Sequence, residues 1–311
     1  MSGSGKKVGF VAIIGLPNAG KSTLLNAILK QKISIISPKP QTTRYRIEGI
    51  HTTERSQIIF VDTPGFIKSD KGLNHILQIE IEEAISNSDA VLLLVEPKNL
   101  SSIEEGDEIF SNFLNKVNQS RKPFVIALNK RDTIGESKYK QYVDIISRLN
   151  SSVEVIPISA LKNQNLDILL TKIEGLLPEG EYLYDPEQIA IKSERFLCQE
   201  MIREQLFYLL QEEIPYECAV TIEEFDESDR DIEDLNKSIV RISAVIYVAR
   251  ESLKPILIGK DGSMIKKIGT MARANIENFL GCKVFLSLRV IVKKNWNKDR
   301  FFLSDLGYEK V

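Results

Sequence analysis

Residues Phe10–Leu29 read FVAIIGLPNAGKSTLLNAIL, an apolar run followed by a glycine-bounded turn and then a helical pattern. The turn fits the phosphate-binding pattern G-x-x-x-x-G-K-[ST] in the strand-to-helix context that this pattern requires. Glycines let backbone N–H groups approach a phosphate closely, and the start of the next helix adds its positive end. The pattern arises by chance in roughly 1% of chains of this length. The predicted phosphate-binding residues are Gly15, Leu16, Pro17, Asn18, Ala19, Gly20, Lys21 and Ser22.

A carboxylate follows the apolar run Ile58–Val61 and completes a candidate metal site. In this reading Lys21 reaches the β- and γ-phosphates and the Ser22 hydroxyl ligates Mg²⁺. The stretch DTPG fits D-x-x-G, so Asp62 can hold Mg²⁺ through water and the Gly65 N–H can sense a γ-phosphate. The D-x-x-G pattern alone is weak evidence for a nucleotide site, because any turn that contains aspartate and glycine can produce it. Its position after the phosphate loop makes it informative here. The predicted nucleotide contacts of this turn are Asp62, Thr63, Pro64, Gly65 and Phe66.

The stretch NKRD at positions 129–132 follows another apolar run and fits N-K-x-D, a pattern that reads guanine. Asp132 offers two acceptors to the guanine N1–H and exocyclic amino group, whereas adenine would leave the carboxylate unpaired. The stem of Lys130 can pack along the base, and Asn129 can tie this loop to the phosphate loop. Backbone amides after the next strand could meet guanine O6. The predicted base-binding set is Asn129, Lys130, Asp132, Ser159 and Ala160.

Strand-like and helical patterns alternate from Val8 to about Leu177, which predicts an α/β domain with a mostly parallel, doubly wound sheet. The segments Arg44–His51 and Gln57–Val61 read as a hairpin that adds an antiparallel edge strand. We expect a first domain over residues 1–178, a Pro- and Gly-containing linker over 179–190, and a second, α+β domain over 191–311.

The second domain is predicted to begin with a helix capped by Ser193 and to carry an acidic stretch, Glu223–Asp234, as a solvated loop. Its strands and helices are expected in the order helix, strand, strand, helix, strand. The predicted segments are Glu194–Glu213, Tyr216–Glu224, Ser238–Val248, Met264–Phe279 and Lys283–Val292.

The stretch KPILIGKDGSMIKK, residues 254–267, contains a G-x-x-G loop before the predicted helix. Two glycines let the backbone approach a single nucleic-acid strand, and Lys260 would face its phosphates. Lys237 to Arg300 contains 14 lysine and arginine residues against 4 acidic ones, as a phosphate-tracking surface requires. Trp296 can either stack on a base or cap the core. The predicted RNA contacts are Ile258, Gly259, Lys260, Asp261, Gly262, Lys266, Lys267, Arg273, Lys293 and Lys294.

The composition is that of a soluble globular protein, with 43% apolar residues, 27% charged residues and a net charge of −2. We expect a cytoplasmic protein, because no apolar run is long enough to cross a bilayer and no signal peptide is evident. Three separated cysteines predict neither a disulfide framework nor a zinc site. They are Cys198, Cys218 and Cys282.

The motifs GLPNAGKSTLLN, PQTTR, DTPG, NKRD and IGKDG together resemble the Era family of bacterial ribosome-assembly GTPases, in the TrmE–Era branch of translation-factor-type GTPases. The resemblance covers nearly the whole chain and implies a P-loop GTPase domain followed by a type II KH domain. It implies that Thr43 closes over Mg²⁺ and the γ-phosphate and that Asn18 helps to hold a catalytic K⁺. The family more often has Arg where Leu16 stands and Val where Ala19 stands.

The resemblance also implies GTP and GDP as ligands and the 3′ region of small-subunit ribosomal RNA as a partner, during assembly of that subunit. It implies a monomer and a peripheral contact with the inner membrane. Phe66 stands where signalling GTPases often place a water-orienting Gln, so hydrolysis is expected to be slow. Alternatives remain open: a GTPase-regulated binder of another structured RNA, an RNA-modifying accessory factor, or an RNA-binding scaffold with a degenerate nucleotide site.

Overall fold

The structure, a computed structural model, describes residues 5–39, 42–65, 73–98, 100, 109–149, 154–231, 234 and 237–307. These residues form two compact units. Unit 1 comprises the described residues of Met1–Ser34, Thr43–Asp70 and Leu77–Ile191, and unit 2 comprises those of Ile35–Thr42, Lys71–Ile76 and Lys192–Val311.

Unit 1 is built on a six-stranded sheet with strand order β2-β3-β1-β4-β5-β6. β2 runs antiparallel to β3, as the predicted hairpin requires, and the other neighbours are parallel. The strands are β1 Lys7–Ile14, β2 Ile47–Thr52, β3 Ser56–Asp62, β4 Ala90–Val95, β5 Phe124–Leu128 and β6 Val155–Pro157. The helices are α1 Lys21–Leu29, α2 Leu73–Ser86, α3 Ile109–Gln119, α4 Glu136–Leu149 and α5 Leu166–Leu176.

The sheet of unit 1 places the candidate nucleotide-binding residues at the carboxyl ends of its parallel strands. Every residue of β4 is buried, which explains its continuous apolar sequence between two covered faces. The carboxyl ends of the parallel strands β1, β3, β5 and β6 lie on the same side of the sheet. β1 lies at the point where the strand order reverses. Ligands of open α/β sheets bind at this position, and the four motifs follow these four strands.

Residues 179–190, which the sequence predicts to be a linker, lie along the sheet of unit 1. Glu179 is 3.7 Å from the Lys7 ammonium, and the Ile50 N–H donates to the Ile189 carbonyl over 2.7 Å. The side chain of Gln57 accepts hydrogen bonds from two further N–H groups of this segment. These contacts fix the segment to unit 1.

Unit 2 has the element order helix, strand, strand, helix, helix, strand that is typical of a type II KH domain. Its sheet has the order β7-β8-β9, antiparallel between the first pair and parallel between the second. Phe196 donates to the predicted cap Ser193 over 3.3 Å. The elements are α6 Glu194–Leu209, β7 Cys218–Asp229, β8 Ile239–Val248, α7 Lys254–Ile258, α8 Ser263–Leu280, β9 Lys283–Val292 and α9 Arg300–Asp305.

One feature of unit 2 departs from the sequence predictions, and another decides between two alternatives that the sequence left open. The acidic stretch does not begin as a loop, because residues 223–229 continue β7 and pair with β8. Cationic side chains on neighbouring strands offset part of this acidic charge: Arg241 of β8 pairs with Asp229 at 2.5 Å, and Arg289 of β9 pairs with Glu223. Trp296 is buried and donates to the Glu217 carbonyl over 2.9 Å, so it caps the core and cannot stack on a base.

Three further observations limit the chemistry of the described residues. All three cysteines are free and buried. Within the part of the chain that the structure describes, no helix is both long enough and apolar enough to traverse a bilayer. The same residues contain no cluster of three His, Cys, Asp or Glu side chains that could hold a metal ion without further ligands.

Candidate nucleotide site and nucleic-acid groove

The turn between β1 and α1 requires its glycines. A Cβ at Gly15 would lie 2.4 Å from the Leu94 carbonyl oxygen. A Cβ at Gly20, whose φ is +95°, would lie 2.4 Å from the amide nitrogen of Asn129. Asn18 is exposed and has a φ of 64°, a conformation that asparagine tolerates better than most residues. The turn therefore presents backbone to the space where a phosphate would bind.

Lys21 lies inside this turn. Its ammonium donates to the carbonyls of Gly15 over 3.1 Å and Leu16 over 3.3 Å. Burial lowers the pKa of Lys21 to about 8, against the opposing charges of Asp62 and Glu96. A phosphate placed beside this ammonium would favour its charged form and reverse part of that shift.

Three oxygen-bearing side chains meet beside Lys21. The Ser22 hydroxyl lies 3.0 Å from the Thr43 hydroxyl and donates to Asp62 Oδ2 over 2.7 Å. Asp62 is fully buried, and its Oδ1 has no hydrogen-bond partner among the described residues. An octahedral Mg²⁺ with bonds of about 2.0–2.1 Å has neighbouring ligands about 2.9 Å apart. Both the spacing and the orphaned carboxylate oxygen fit such an ion.

Burial raises the pKa of Asp62, while Lys21 and the hydroxyls of Ser22 and Ser34 oppose the shift. A cation bound at the carboxylate would favour the charged form further. Ser34, which sequence reasoning did not single out, donates to Asp62 Oδ2 over 2.7 Å. Only the folded chain brings it there, since its neighbours in sequence carry no recognisable motif.

Two residues of the D-x-x-G turn contact different parts of unit 1: Gly65 lies against the phosphate loop, and Thr63 bonds to the sheet. A Cβ at Gly65 would lie 3.0 Å from Pro17 Cα, so the Gly65 backbone lies directly against the phosphate loop. The Thr63 hydroxyl donates to the Ile13 carbonyl over 2.9 Å, which directs that side chain to the sheet. Phe66 lies outside the described residues.

Asn129 connects three loops. Its amide donates to the Ala19 carbonyl over 2.8 Å, and its oxygen accepts from the Ala160 N–H over 3.0 Å. The Ser159 N–H donates to the Gln164 carbonyl. These two N–H groups have acceptors inside the protein, so their contact with guanine O6 stays a prediction.

The base-recognition loop presents one carboxylate outward and anchors one lysine. Asp132 is exposed and makes no hydrogen bond within the described part of the chain. Lys130 forms an ion pair with Glu96, which is buried. Glu96 was not predicted, although it directly follows the apolar run of β4, as Asp62 follows that of β3. Glu96 could therefore have been predicted in the same way as Asp62, as a carboxylate at the end of a buried apolar run.

The G-x-x-G loop of unit 2 joins α7 to α8. Gly259 has a φ of +72°, and a Cβ there would lie 2.8 Å from the Met264 nitrogen. Gly262 has a φ of +75°, and a Cβ there would meet only Ile265 Cγ2, at an ordinary contact distance of 3.9 Å. Lys260 and Asp261 between them are exposed, as a loop that contacts a nucleic-acid backbone requires.

Next to this loop, a groove of about 280 Å³ runs between α8 and β9. One face of α8 supplies Lys266, Thr270 and Arg273, which lie on the same face because they are spaced by four and three residues. The apolar lining of the groove was not predicted from the sequence, because apolar residues of a helix and a strand usually belong to the core. This lining consists of Ile265, Gly269, Leu286 and Leu288.

The other predicted RNA contacts are not all free for this role. Lys293 lies 3.4 Å from the Asp299 carboxylate and 4.2 Å from the centre of the Phe302 ring, so it stabilises the C-terminal segment. Lys267 and Lys294 are exposed, and Ile258 is half-buried at the end of α7.

Comparison with known proteins agrees with this division. A family model described as 50S ribosome-binding GTPase matches residues 10–130, and a KH domain model matches residues 213–297. The GTPase Era of Thermoanaerobacter sp. strain X514 is 40% identical over 304 residues, covering 98% of this chain and 97% of that protein. The chain belongs to the GTPase Era family. The Era of Syntrophus aciditrophicus is 41% identical over 310 residues, covering 98% of this chain and 96% of that protein.

Solved Era structures have the same fold over nearly the whole chain. A variant of Aquifex aeolicus Era bound to GDP·AlF₄⁻ has a TM-score of 0.88 and 37% identity, covering 97% of this chain and 99% of that one. Era in complex with MgGDPNP and nucleotides 1506–1542 of 16S ribosomal RNA has a TM-score of 0.88 and 38% identity, with the same coverage. As a member of the Era family, the chain is a GTPase with a C-terminal KH domain.

Proposed function

We propose that this GTPase is a nucleotide-controlled switch that binds small-subunit ribosomal RNA near its 3′ end and assists assembly of that subunit. The observation that supports this most strongly is the basic, apolar-floored groove beside the G-x-x-G loop. It belongs to a chain that has the fold of an Era protein solved with 16S ribosomal RNA. The proposed domain division is a GTPase domain over residues 1–178, a linker over 179–190 that packs on that domain, and a KH domain over 191–311.

On the nucleotide side, the phosphate loop binds the triphosphate through its N–H groups and Lys21. Ser22, Thr43 and Asp62 would hold Mg²⁺, which neutralises phosphate charge. Thr43 already lies 3.0 Å from the Ser22 hydroxyl, and a bound γ-phosphate would stabilise it in that position. The Gly65 N–H contacts the γ-phosphate from the other side, and Asp132 selects guanine.

On the RNA side, the exposed Lys260 lies beside the backbone of a single strand held at the two glycines. Lys266 and Arg273 line the groove and pair with its phosphates, while Leu286 and Leu288 offer an apolar floor to the bases. GTP binding favours this complex, and hydrolysis, which is slow without a water-orienting Gln, releases it.

The proposal is tested by the affinity of the full chain for an RNA fragment from the 3′ end of its own small-subunit ribosomal RNA. We expect binding at least about tenfold tighter with a non-hydrolysable GTP analogue than with GDP, which corresponds to a coupling of about 1.4 kcal/mol. A large-subunit RNA fragment of equal length is the control, because the family model of the GTPase half is described as 50S ribosome-binding. Preference for that fragment, or equal affinity for both, would contradict the proposal.

We propose further that K⁺ stimulates hydrolysis through Asn18. The support is the position of Asn18, exposed in the middle of the phosphate loop, where its side chain is free to face a cation beside the phosphates. Single-turnover hydrolysis should be at least about tenfold faster in K⁺ than in Na⁺ at matched ionic strength, because charge at the transition state is a large catalytic term. Asn18→Ala should remove the difference, and equal rates for the unaltered protein in the two salts would refute the role.

Membership of the Era family supports three further proposals: a cytoplasmic location, a monomer, and a peripheral contact with the inner membrane. A sedimentation mass near 35.2 kDa would agree with the monomer. Flotation with anionic liposomes tests the membrane contact, and a protein that stays at the bottom of the gradient would exclude it.

A further inference from the structure

Ser34 has a buried hydroxyl that the reaction scheme above does not use. It is 1% exposed, and its hydroxyl donates to Asp62 Oδ2 over 2.7 Å. Ser22 donates to that same oxygen over 2.7 Å. Both protein donors therefore lie on Oδ2, and Oδ1 is the oxygen without a partner among the described residues.

Asn26 fixes the position of Ser34. Its side-chain oxygen accepts from the N–H groups of Ile33 over 3.0 Å and Ser34 over 2.9 Å. Its amide donates to the Ser34 carbonyl over 2.7 Å. The N–H, carbonyl and hydroxyl of Ser34 thus all have partners, so this residue is held as a rigid unit.

The same face of α1 supplies the proposed metal ligand and this clamp. Ser22 and Asn26 are four residues apart, which places them one helical turn from each other. A shift of α1 would therefore move the metal-binding hydroxyl and the clamp on Ser34 together.

We propose that Ser34, clamped by Asn26, is a positioning residue that holds the Asp62 carboxylate with Oδ1 turned toward Mg²⁺. The inference rests on the proposed Mg²⁺–nucleotide site and deepens it. A carboxylate that receives two hydrogen bonds on one oxygen cannot rotate without losing both. Outer donors of this kind orient metal ligands, and their loss typically weakens metal affinity about 10–100-fold.

The test is the release rate of a fluorescent GDP analogue from the full chain across a Mg²⁺ titration that starts in EDTA. Ser34→Ala should need about 10–100-fold more Mg²⁺ than the unaltered protein for half-maximal retention. In EDTA the two release rates should coincide, because the hydroxyl acts only through the metal. Ser88→Ala is the matched control: Ser88 is also buried, and its hydroxyl donates to the Ala84 carbonyl over 2.6 Å.

Asn26→Ala gives a second variant that keeps the Ser34 hydroxyl. It should shift the Mg²⁺ requirement in the same direction, and the double variant should shift it no further than the larger single effect, because Asn26 acts through Ser34. A double variant whose Mg²⁺ requirement is raised by the product of the two single effects would show that Asn26 does not act through Ser34.

Two results would overturn the inference while leaving the metal site in place. One is a Mg²⁺ requirement of Ser34→Ala equal to that of Ser88→Ala. The other is equally accelerated release with and without Mg²⁺, which would show that Ser34 only supports the fold. If GDP release from the unaltered protein did not depend on Mg²⁺, the proposed metal site itself would fail, and this inference with it.

Discussion

Asp132→Asn is expected to lower the affinity for GTP about 100–1000-fold and to raise that for xanthosine triphosphate. The change replaces an acceptor by an amide donor facing the guanine N1–H and amino group. The amide oxygen still accepts from one of these groups, but one charge-assisted hydrogen bond of about 1.5–3 kcal/mol is lost, the other becomes neutral, and the new amide donor faces a donor of the base. Xanthine has a carbonyl where guanine has the amino group, so it can accept from the new amide.

The stability of the protein should not change in this variant, since Asp132 is exposed and makes no hydrogen bond within the described chain. Asp144→Asn is the matched control, because Asp144 is an exposed aspartate on α4. Calorimetric titration with GTP and with xanthosine triphosphate measures both changes in affinity. GTP affinity within threefold of the unaltered protein, roughly 0.65 kcal/mol, would show that another group reads the base.

Gly262→Asp is expected to abolish RNA binding at concentrations that saturate the unaltered protein, while GTP turnover without RNA is retained. Gly262 is a better site than Gly259, because its Cβ would approach nothing closer than Ile265 Cγ2 at 3.9 Å. Aspartate also tolerates a positive φ better than most residues. The new carboxylate would lie where the RNA backbone passes and repel its phosphates.

Gly262→Asn is the control that separates charge from shape. It introduces the same backbone strain without the charge, so its loss of RNA affinity should be at least about tenfold smaller, and only the aspartate effect should weaken as salt rises. Equal losses in the two variants would place the effect in backbone geometry. A collapse of GTP turnover in Gly262→Asp would contradict the division of labour between the two domains.

The phosphate loop and the base-recognition loop were predictable because they are local patterns joined to regular elements. α1 ends at Leu29, where the helical pattern of the opening stretch ends, and β5 directly precedes the stretch NKRD as predicted. β2 is the antiparallel edge strand that the predicted hairpin adds. The approach of Thr43 to Ser22 was expected only through the family resemblance. No periodicity in the sequence encodes a contact across 21 residues.

What was missed depends on contacts between distant segments. Ser34 acquires its role by meeting Asp62 across 28 residues, whereas Glu96 could have been identified from its position directly after β4. The acidic strand of β7 was taken for a loop because its stabilising arginines lie on other strands. Leu286 and Leu288 were predicted only as part of the last strand, because only the folded groove shows that one side of them is open.

In the proposed nucleotide site, the turn after β1 holds the phosphates and Asp132 identifies the base. Calorimetric titration of the unaltered protein with GDP and with ADP, at matched Mg²⁺, tests it most directly. We expect one-to-one binding of GDP and no measurable heat with ADP. Comparable heats for the two nucleotides, or none with GDP, would contradict it.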